Sequence, residues 1–206
     1  MSENTPAGSG ARLTEDASGA RLTPHASGVW FTEHTIESAP PASRRFMVAT
    51  QNHLGYLPAA TARWAASPQL LDGFGKLNAI FDNCTLDPVA REVVIMAIAT
   101  RNGCHICVAM HTARLTALGA RADIIAALRD SVPLADQRLE AIRVFTLRVL
   151  DTAGDAGDEA VRAFLASGHT RQNALEVVLG IGTYTMSTLA NRLTGAPLDH
   201  QLSAFA

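Results

Sequence analysis

Two cysteines three residues apart, Cys104 and Cys107, are followed four residues later by an imidazole, His111, and preceded by a carboxylate, Glu92. At about 100° per residue on an α-helix, Cys104, Cys107 and His111 fall within one narrow arc together with Val108, Leu115 and Leu118. Ionisable groups therefore interrupt an apolar stripe. Asn102-Gly103 breaks the chain just before Cys104, which puts that thiol at a helix N-terminus, where unpaired amides and the helix dipole favour a thiolate. Residues three apart on a helix face one another at about 5–6 Å, a separation a disulfide spans, so the pair can close and open without refolding. Glu92 opens a segment that is apolar from Val93 to Ala99. A carboxylate there is expected to be at least partly buried and to need a partner. His111 fits, because a carboxylate holding one ring nitrogen leaves the other free to exchange a proton with a thiol, as in a triad of nucleophile, base and orienter. The chemistry is reversible thiol oxidation or metal binding, since Cys104, Cys107, His111 and either Glu92 or His105 also amount to four zinc donors.

These residues resemble the redox branch of the AhpD-like alkylhydroperoxidase and carboxymuconolactone decarboxylase family. Its members carry a Glu, eleven intervening residues and then Cys-x-x-Cys-x-x-x-His, a spacing kept here by Glu92, Cys104, Cys107 and His111. The resemblance extends from Leu54-Gly55-Tyr56-Leu57-Pro58 through Leu86-Asp87-Pro88-Val89-Ala90-Arg91-Glu92 to Asn191-Arg192-Leu193, leaving out the N-terminal arm. One departure is Ile106 directly before the second cysteine, where members often have His or an aromatic residue. The histidine that follows the first cysteine, His105, points roughly 160° away from Cys107 on an ideal wheel.

The resemblance implies an all-α, AhpD-like helical bundle with the Cys-x-x-Cys on a central helix pair, assembling as a trimer or a multiple of it. It also implies a thiol-dependent peroxidase with a hydroperoxide substrate. A thiolate gives a sulfenic acid, the second cysteine condenses with it, and a dithiol restores the pair. That dithiol is a lipoyl-bearing protein, a thioredoxin-like protein or a small thiol, and no bound cofactor is needed. The residues leave open which cysteine attacks: the helix N-terminus favours Cys104, whereas Cys107 lies nearer His111 on the wheel, and the resemblance implies the second cysteine. The expectation is that Cys107 attacks and Cys104 resolves, with His111 shuttling the proton and Glu92 orienting it. The alternatives are a lactone decarboxylase of the same family, whose branch lacks the cysteine pair, and a zinc-binding or purely structural member.

With 206 residues, 48% hydrophobic and 17% charged, the chain can fill one core with an appendage. A net charge of −2 carries no electrostatic footprint for nucleic acid or an anionic membrane. The apolar run from Val93 to Ala99 is too short to span a bilayer, and the N-terminus has no signal-peptide pattern. The expectation is a cytoplasmic protein. Three cysteines make no secreted disulfide framework, and in a reducing compartment Cys-x-x-Cys reads as redox or metal. Cys84 has no second cysteine or base near it in sequence and reads as a structural thiol.

Residues 1–40 form a polar arm, extended or flexible, with near-copies of a nine-residue unit beginning at Ser9-Gly10, Ser18-Gly19 and Ser27-Gly28. Val29, Trp30 and Phe31 in the third copy suggest an anchor on a neighbouring subunit. Residues 41–206 form the helical domain. Helices are expected over 43–53, from Pro58, after the Ser67-Pro68 cap, from the Asp87-Pro88 cap, from Cys104 to Gly119, and over 122–129, 136–150, 159–166 and 171–192. Leu70, Leu71, Phe74, Leu77, Ile80 and Phe81 are expected as core, as are Leu139, Ile142, Val144, Phe145, Leu147 and Leu150. In the last helix Gly180, Thr183, Ser187 and Ala190 make a small-residue face for close approach, beside which Tyr184 and Asn191 need partners if buried. Glu176, in a segment that echoes the one around Glu92, is expected to make a structural buried hydrogen bond.

Overall fold

The computed structural model describes residues 30–206 and contains no strand among them. Its helices are α1 (Pro41–Leu54), α2 (Ala59–Trp64), α3 (Pro68–Asp82), α4 (Pro88–Arg101), α5 (His105–Ala117), α6 (Ala122–Arg129), α7 (Gln137–Asp151), α8 (Asp158–Ala166) and α9 (Arg171–Thr194), closed by a 3-10 helix over His200–Phe205. Their starts follow local chemistry. The Ser67 hydroxyl accepts from the Leu70 amide and the Asp87 carboxylate from the Ala90 amide, each ahead of a proline in the first turn. Asp136 caps α7, and Thr170 with Asn173 forms a reciprocal capping box on α9.

Helix α4 is the axis of the fold. Val93 to Ala99 are buried on every face, which requires neighbours all round, and α5, α6, α7 and α9 supply them. Phe81, Val94, Ile95, Ile98, Leu115, Ile142, Phe164 and Val177 form the larger core. A second cluster joins Met47, Trp64, Ala65, Leu71 and Ile106 to both Cys104 and Cys107. Helix α9 comes close to α3 and α4 at Gly180, where a Cβ would lie 2.8 Å from the Phe81 ring and 2.9 Å from Val94. The small-residue face of α9 therefore lets it seat on α4.

Glu176 makes the expected structural hydrogen bonds. It accepts from the Thr85 amide at 2.9 Å, the Thr85 hydroxyl at 2.7 Å, Asn173 at 3.1 Å and Gln172 at 3.0 Å. Burial alone would raise its pKa, but these donors, Thr85 foremost, outweigh burial and hold the carboxyl below its ordinary value. Some apolar expectations fail. Ile80 and Val144 are exposed on the outer faces of α3 and α7, and Leu118 is exposed because α5 ends at Ala117 and the chain turns at Gly119, φ +71°. Periodicity identifies a stripe but not its outermost rows. The closing 3-10 helix has no sequence signal; Arg129 holds it by donating to the Phe205 and Ala206 carbonyls. The first two nine-residue units and Val29 lie outside the described residues. Trp30 is 81% exposed within the chain, so it is not anchored on its own domain. Among the described residues no helix is long and apolar enough to cross a membrane.

Candidate functional site

The turn between α4 and α5 sets the first element of the site. The Cys104 amide returns to the Ala99 carbonyl at 2.9 Å, and Gly103 between them sits at φ +62°. A side chain there would be strained, and its Cβ would also lie 2.7 Å from the Arg192 guanidinium. This turn makes Cys104 the N-cap residue of α5 and puts Cys107 in its first turn, where backbone amides lack helical carbonyl partners. The two cysteines are joined in a disulfide, their Cα atoms 5.3 Å apart. Both are buried.

One turn further along α5, His111 meets Glu92 across the α4–α5 contact, with Nδ1 2.7 Å from Oε2. Glu92 is only 1% exposed. Its second oxygen lies 2.9 Å from Nε of Arg114, whose other arm reaches Asp82 at 3.0 Å. A buried carboxylate needs this compensation, because an isolated charge in the interior costs several kcal/mol. Flanked by a guanidinium donor, a Glu92 carboxylate accepts from Nδ1–H of His111, which leaves Nε2 as the ring nitrogen available for proton exchange.

Helix α9 completes the site. The Asn191 side-chain amide donates to Sγ of Cys107 at 3.3 Å and lies 3.8 Å from Sγ of Cys104. Its carbonyl oxygen is buried with no hydrogen-bond partner in this disulfide form. Tyr184 stands edge-on to His111, ring centres 5.4 Å apart, and its hydroxyl donates to Asn78 at 2.7 Å. Burial, and then the Glu92 charge, pushes this phenol well above its ordinary pKa, so it stays protonated. A cavity of about 210 Å³ opens onto Cys107 and His111, walled mainly by Phe46, Trp64, Phe74, Ile106, Met110 and Tyr184, with Asn78, Ser187 and Asn191 as its polar points.

The four residues singled out by spacing thus lie together, with Glu92 from α4 joined to the three from α5. His105 is exposed, away from the cavity that Cys107 and His111 share. Cys84 lies apart beside the Glu176 network, its thiol raised in pKa first by burial. Among the described residues no group of three or more His, Cys, Asp or Glu side chains is placed to hold a metal ion. Sequence reasoning missed Arg114 and Asn78. Arg114, three residues after His111, lies on the same helix face and within reach of the same partner. The sequence identifies Tyr184 and Asn191 only as polar groups in need of partners if buried, and the partners are Asn78 and the disulfide.

The model of the carboxymuconolactone decarboxylase family matches residues 65–147, a segment holding Glu92, Cys104, Cys107 and His111. No curated protein matches the chain. Among solved structures, the alkylhydroperoxidase AhpD core, an uncharacterized peroxidase-related protein from Ralstonia eutropha JMP134, superposes with a TM-score of 0.75 at 17% identity, covering 84% of this chain and 93% of that one. An uncharacterized peroxidase-related protein from Silicibacter sp. TM1040 gives 0.67 at 16% identity, covering 79% and 87%. A cysteine-to-alanine variant of the debrominase Bmp8, in complex with 2,3,4-tribromopyrrole, gives 0.66 at 15% identity, covering 85% and 94%. At these identities the likeness is one of fold.

Proposed function

We propose that the chain, whose residues 65–147 match the model of the carboxymuconolactone decarboxylase family, works as a thiol-dependent hydroperoxidase. The observation that carries the reading is that a Cys104–Cys107 disulfide opens through Cys107 onto an apolar cavity shared with a Glu92-bound His111. In the reduced protein, Nε2 of His111 takes the Cys107 proton. The thiolate attacks the distal peroxide oxygen and forms Cys107–S–OH, and the departing alkoxide takes the proton from His111 and leaves as the alcohol. The Cys104 thiol then attacks Sγ of Cys107 and releases water. Two electrons and two protons from a dithiol, whether a lipoyl-bearing protein, a thioredoxin-like protein or a small thiol, reopen the disulfide. The aromatic and aliphatic walls favour an organic over an inorganic peroxide.

A second reading keeps the same thiols and changes the oxidant. The solved debrominase shares the fold, and an aromatic-walled space of about 210 Å³ suits a single small ring. A halogenated ring would take two electrons and a proton from the dithiol, losing halide and leaving the disulfide. A lactone enzyme would leave the cysteine pair without a part. The dithiol cycle suits a reducing compartment, which supports a cytoplasmic setting. Leu175, Val178, Leu189 and Leu193 form an exposed apolar stripe along α9 and support assembly into a trimer or a multiple of it.

Turnover with an organic hydroperoxide, hydrogen peroxide or a halogenated pyrrole as oxidant and dithiothreitol as reductant tests the reading. The expected order places the organic hydroperoxide first, with no turnover in Cys107→Ser and a trapped sulfenic acid on Cys107 in Cys104→Ser. Faster turnover of the halogenated ring would transfer the assignment to the second reading. A sulfenic acid on Cys104 in Cys107→Ser would reverse the roles of the cysteines.

A further inference from the structure

The two cysteines of the disulfide line different openings. Cys107, and not Cys104, lines the apolar cavity it shares with His111 and Tyr184. Cys104, and not Cys107, lines a separate cleft of about 220 Å³ between the start of α5 and the end of α9, whose wall includes His105, Arg192 and Ala196. Asn191 borders both and touches both sulfurs, standing as the partition.

Thiol–disulfide exchange gives these openings distinct uses. The attacking thiolate, the attacked sulfur and the leaving sulfur lie close to one line, so a nucleophile must arrive from the side opposite the sulfur it displaces. The α5–α9 cleft, which Cys104 lines, is the opening that suits an attack on Cys104, with Cys107, which lines the cavity, as the sulfur expelled. Cys107 is the better leaving group. It sits in the first turn of α5, accepts from the Asn191 amide at the shorter distance of 3.3 Å, and lies one turn from His111. The mouth of the cleft is also the more inviting one for an anion. Arg192 is exposed there, with one guanidinium nitrogen donating to the Gly103 carbonyl at 2.8 Å and its charge close to the approach.

We propose that the site has two doors: oxidant reaches Cys107 through the apolar cavity, and the reducing dithiol reaches Cys104 through the Arg192 cleft. The reducing step is balanced as follows. One thiolate of the dithiol bonds to Sγ of Cys104, the Cys104–Cys107 bond breaks, and Cys107 leaves as a thiolate that is then protonated. The second thiol of the reductant, once deprotonated, attacks its own partner sulfur in this mixed disulfide and forms the cyclic disulfide. Cys104 is released and protonated. The protein gains two electrons and two protons and the dithiol loses them. The reduced product of the oxidant and the incoming dithiol then never compete for one passage.

This inference rests on the redox pair of the proposed function but not on the identity of the oxidant, and its test uses no peroxide. The disulfide form of the full chain is mixed with the monothiol β-mercaptoethanol, quenched rapidly with N-ethylmaleimide and mapped by peptide mass spectrometry. The expected species carries the mercaptoethanol adduct on Cys104 and the maleimide on Cys107. The reverse distribution, or an even mixture, would overturn the proposal. As a second readout, Arg192→Glu is expected to lower the rate of disulfide reduction by dithiothreitol about fivefold relative to the rate of thiol oxidation by an organic hydroperoxide. An unchanged ratio would remove Arg192 from the entrance. Failure of the hydroperoxidase reading would show instead as thiols inert to peroxide, with the adduct map intact.

Discussion

Glu92→Gln is the sharpest perturbation of the proton relay, because it keeps the shape of a side chain that is 1% exposed and changes only its charge and hydrogen-bond polarity. The carboxylate accepts on both oxygens, from His111 at 2.7 Å and from Arg114 at 2.9 Å. A glutamine amide offers one acceptor and one donor end. The guanidinium can only donate, so the amide oxygen turns to Arg114 and the NH2 turns to Nδ1 of His111. Nδ1 must then accept, which moves the ring proton to Nε2, the nitrogen meant to take the thiol proton. Loss of a positioned base costs roughly 10²–10⁴-fold. We therefore expect oxidation of the reduced protein by an organic hydroperoxide, followed by stopped-flow at pH 7, to slow about 10³-fold, on the order of 4 kcal/mol in the barrier. The loss of a charge-assisted pair also costs about 1–3 kcal/mol of stability. The pH profile separates the two effects. As pH rises through the ordinary thiol range near about 8.5, the thiolate forms without a base, so the deficit shrinks toward high pH. A rate within about threefold of wild type at pH 7, or a deficit independent of pH, would refute the tautomer argument.

Three further outcomes follow from the packing and polar networks. Gly180→Val places methyl groups where a Cβ alone would lie 2.8 Å from Phe81, and should lower stability in urea by about 1–3 kcal/mol or more; no loss would contradict the close α4–α9 seating. Glu176→Gln should cost about 1–3 kcal/mol at pH 7. Because the native carboxyl lies below its ordinary value, its stabilisation is present above about pH 4.3 and is lost as pH falls through the lowered value. The wild-type advantage should therefore fade in acid, and a constant difference would contradict the network. Tyr184→Phe removes the donor to Asn78 and should cost about 1 kcal/mol while leaving the pH profile of thiol oxidation unshifted, since the phenol is a neutral wall; a shifted profile would make Tyr184 part of the relay.

Much of this arrangement is readable from residue types. Ser67-Pro68, Asp87-Pro88 and Asp136 mark helix starts by local hydrogen bonding, and Gly55 and Gly119 mark stops by backbone freedom; both need only neighbours in sequence. The Glu92 and His111 contact is readable because the spacing fixes which helix faces carry them, and a buried carboxylate must be paired. Arg114 is not readable in the same way. Its function depends on α4 crossing α5 at a depth that brings Glu92 and Asp82 to one guanidinium, a consequence of Gly180, Phe81 and Val94 setting the spacing of other helices. The exposed Ile80 and Val144 fail for a related reason, since a helix wheel gives direction but not the size of the neighbour. The Cys104 cleft is the hardest of all to anticipate, because its walls come from residues about ninety apart in the chain.

The central claim is that Cys104 and Cys107 are a working dithiol opened and closed by substrate. Its most direct measurement is the intact mass of the fully reduced protein before and after a stoichiometric organic hydroperoxide, with peptide mapping. The account predicts loss of two hydrogens within seconds, mapped to a Cys104–Cys107 bridge, with Cys84 still free and the mass restored by dithiothreitol. An unchanged mass, or oxidation confined to Cys84, would contradict it.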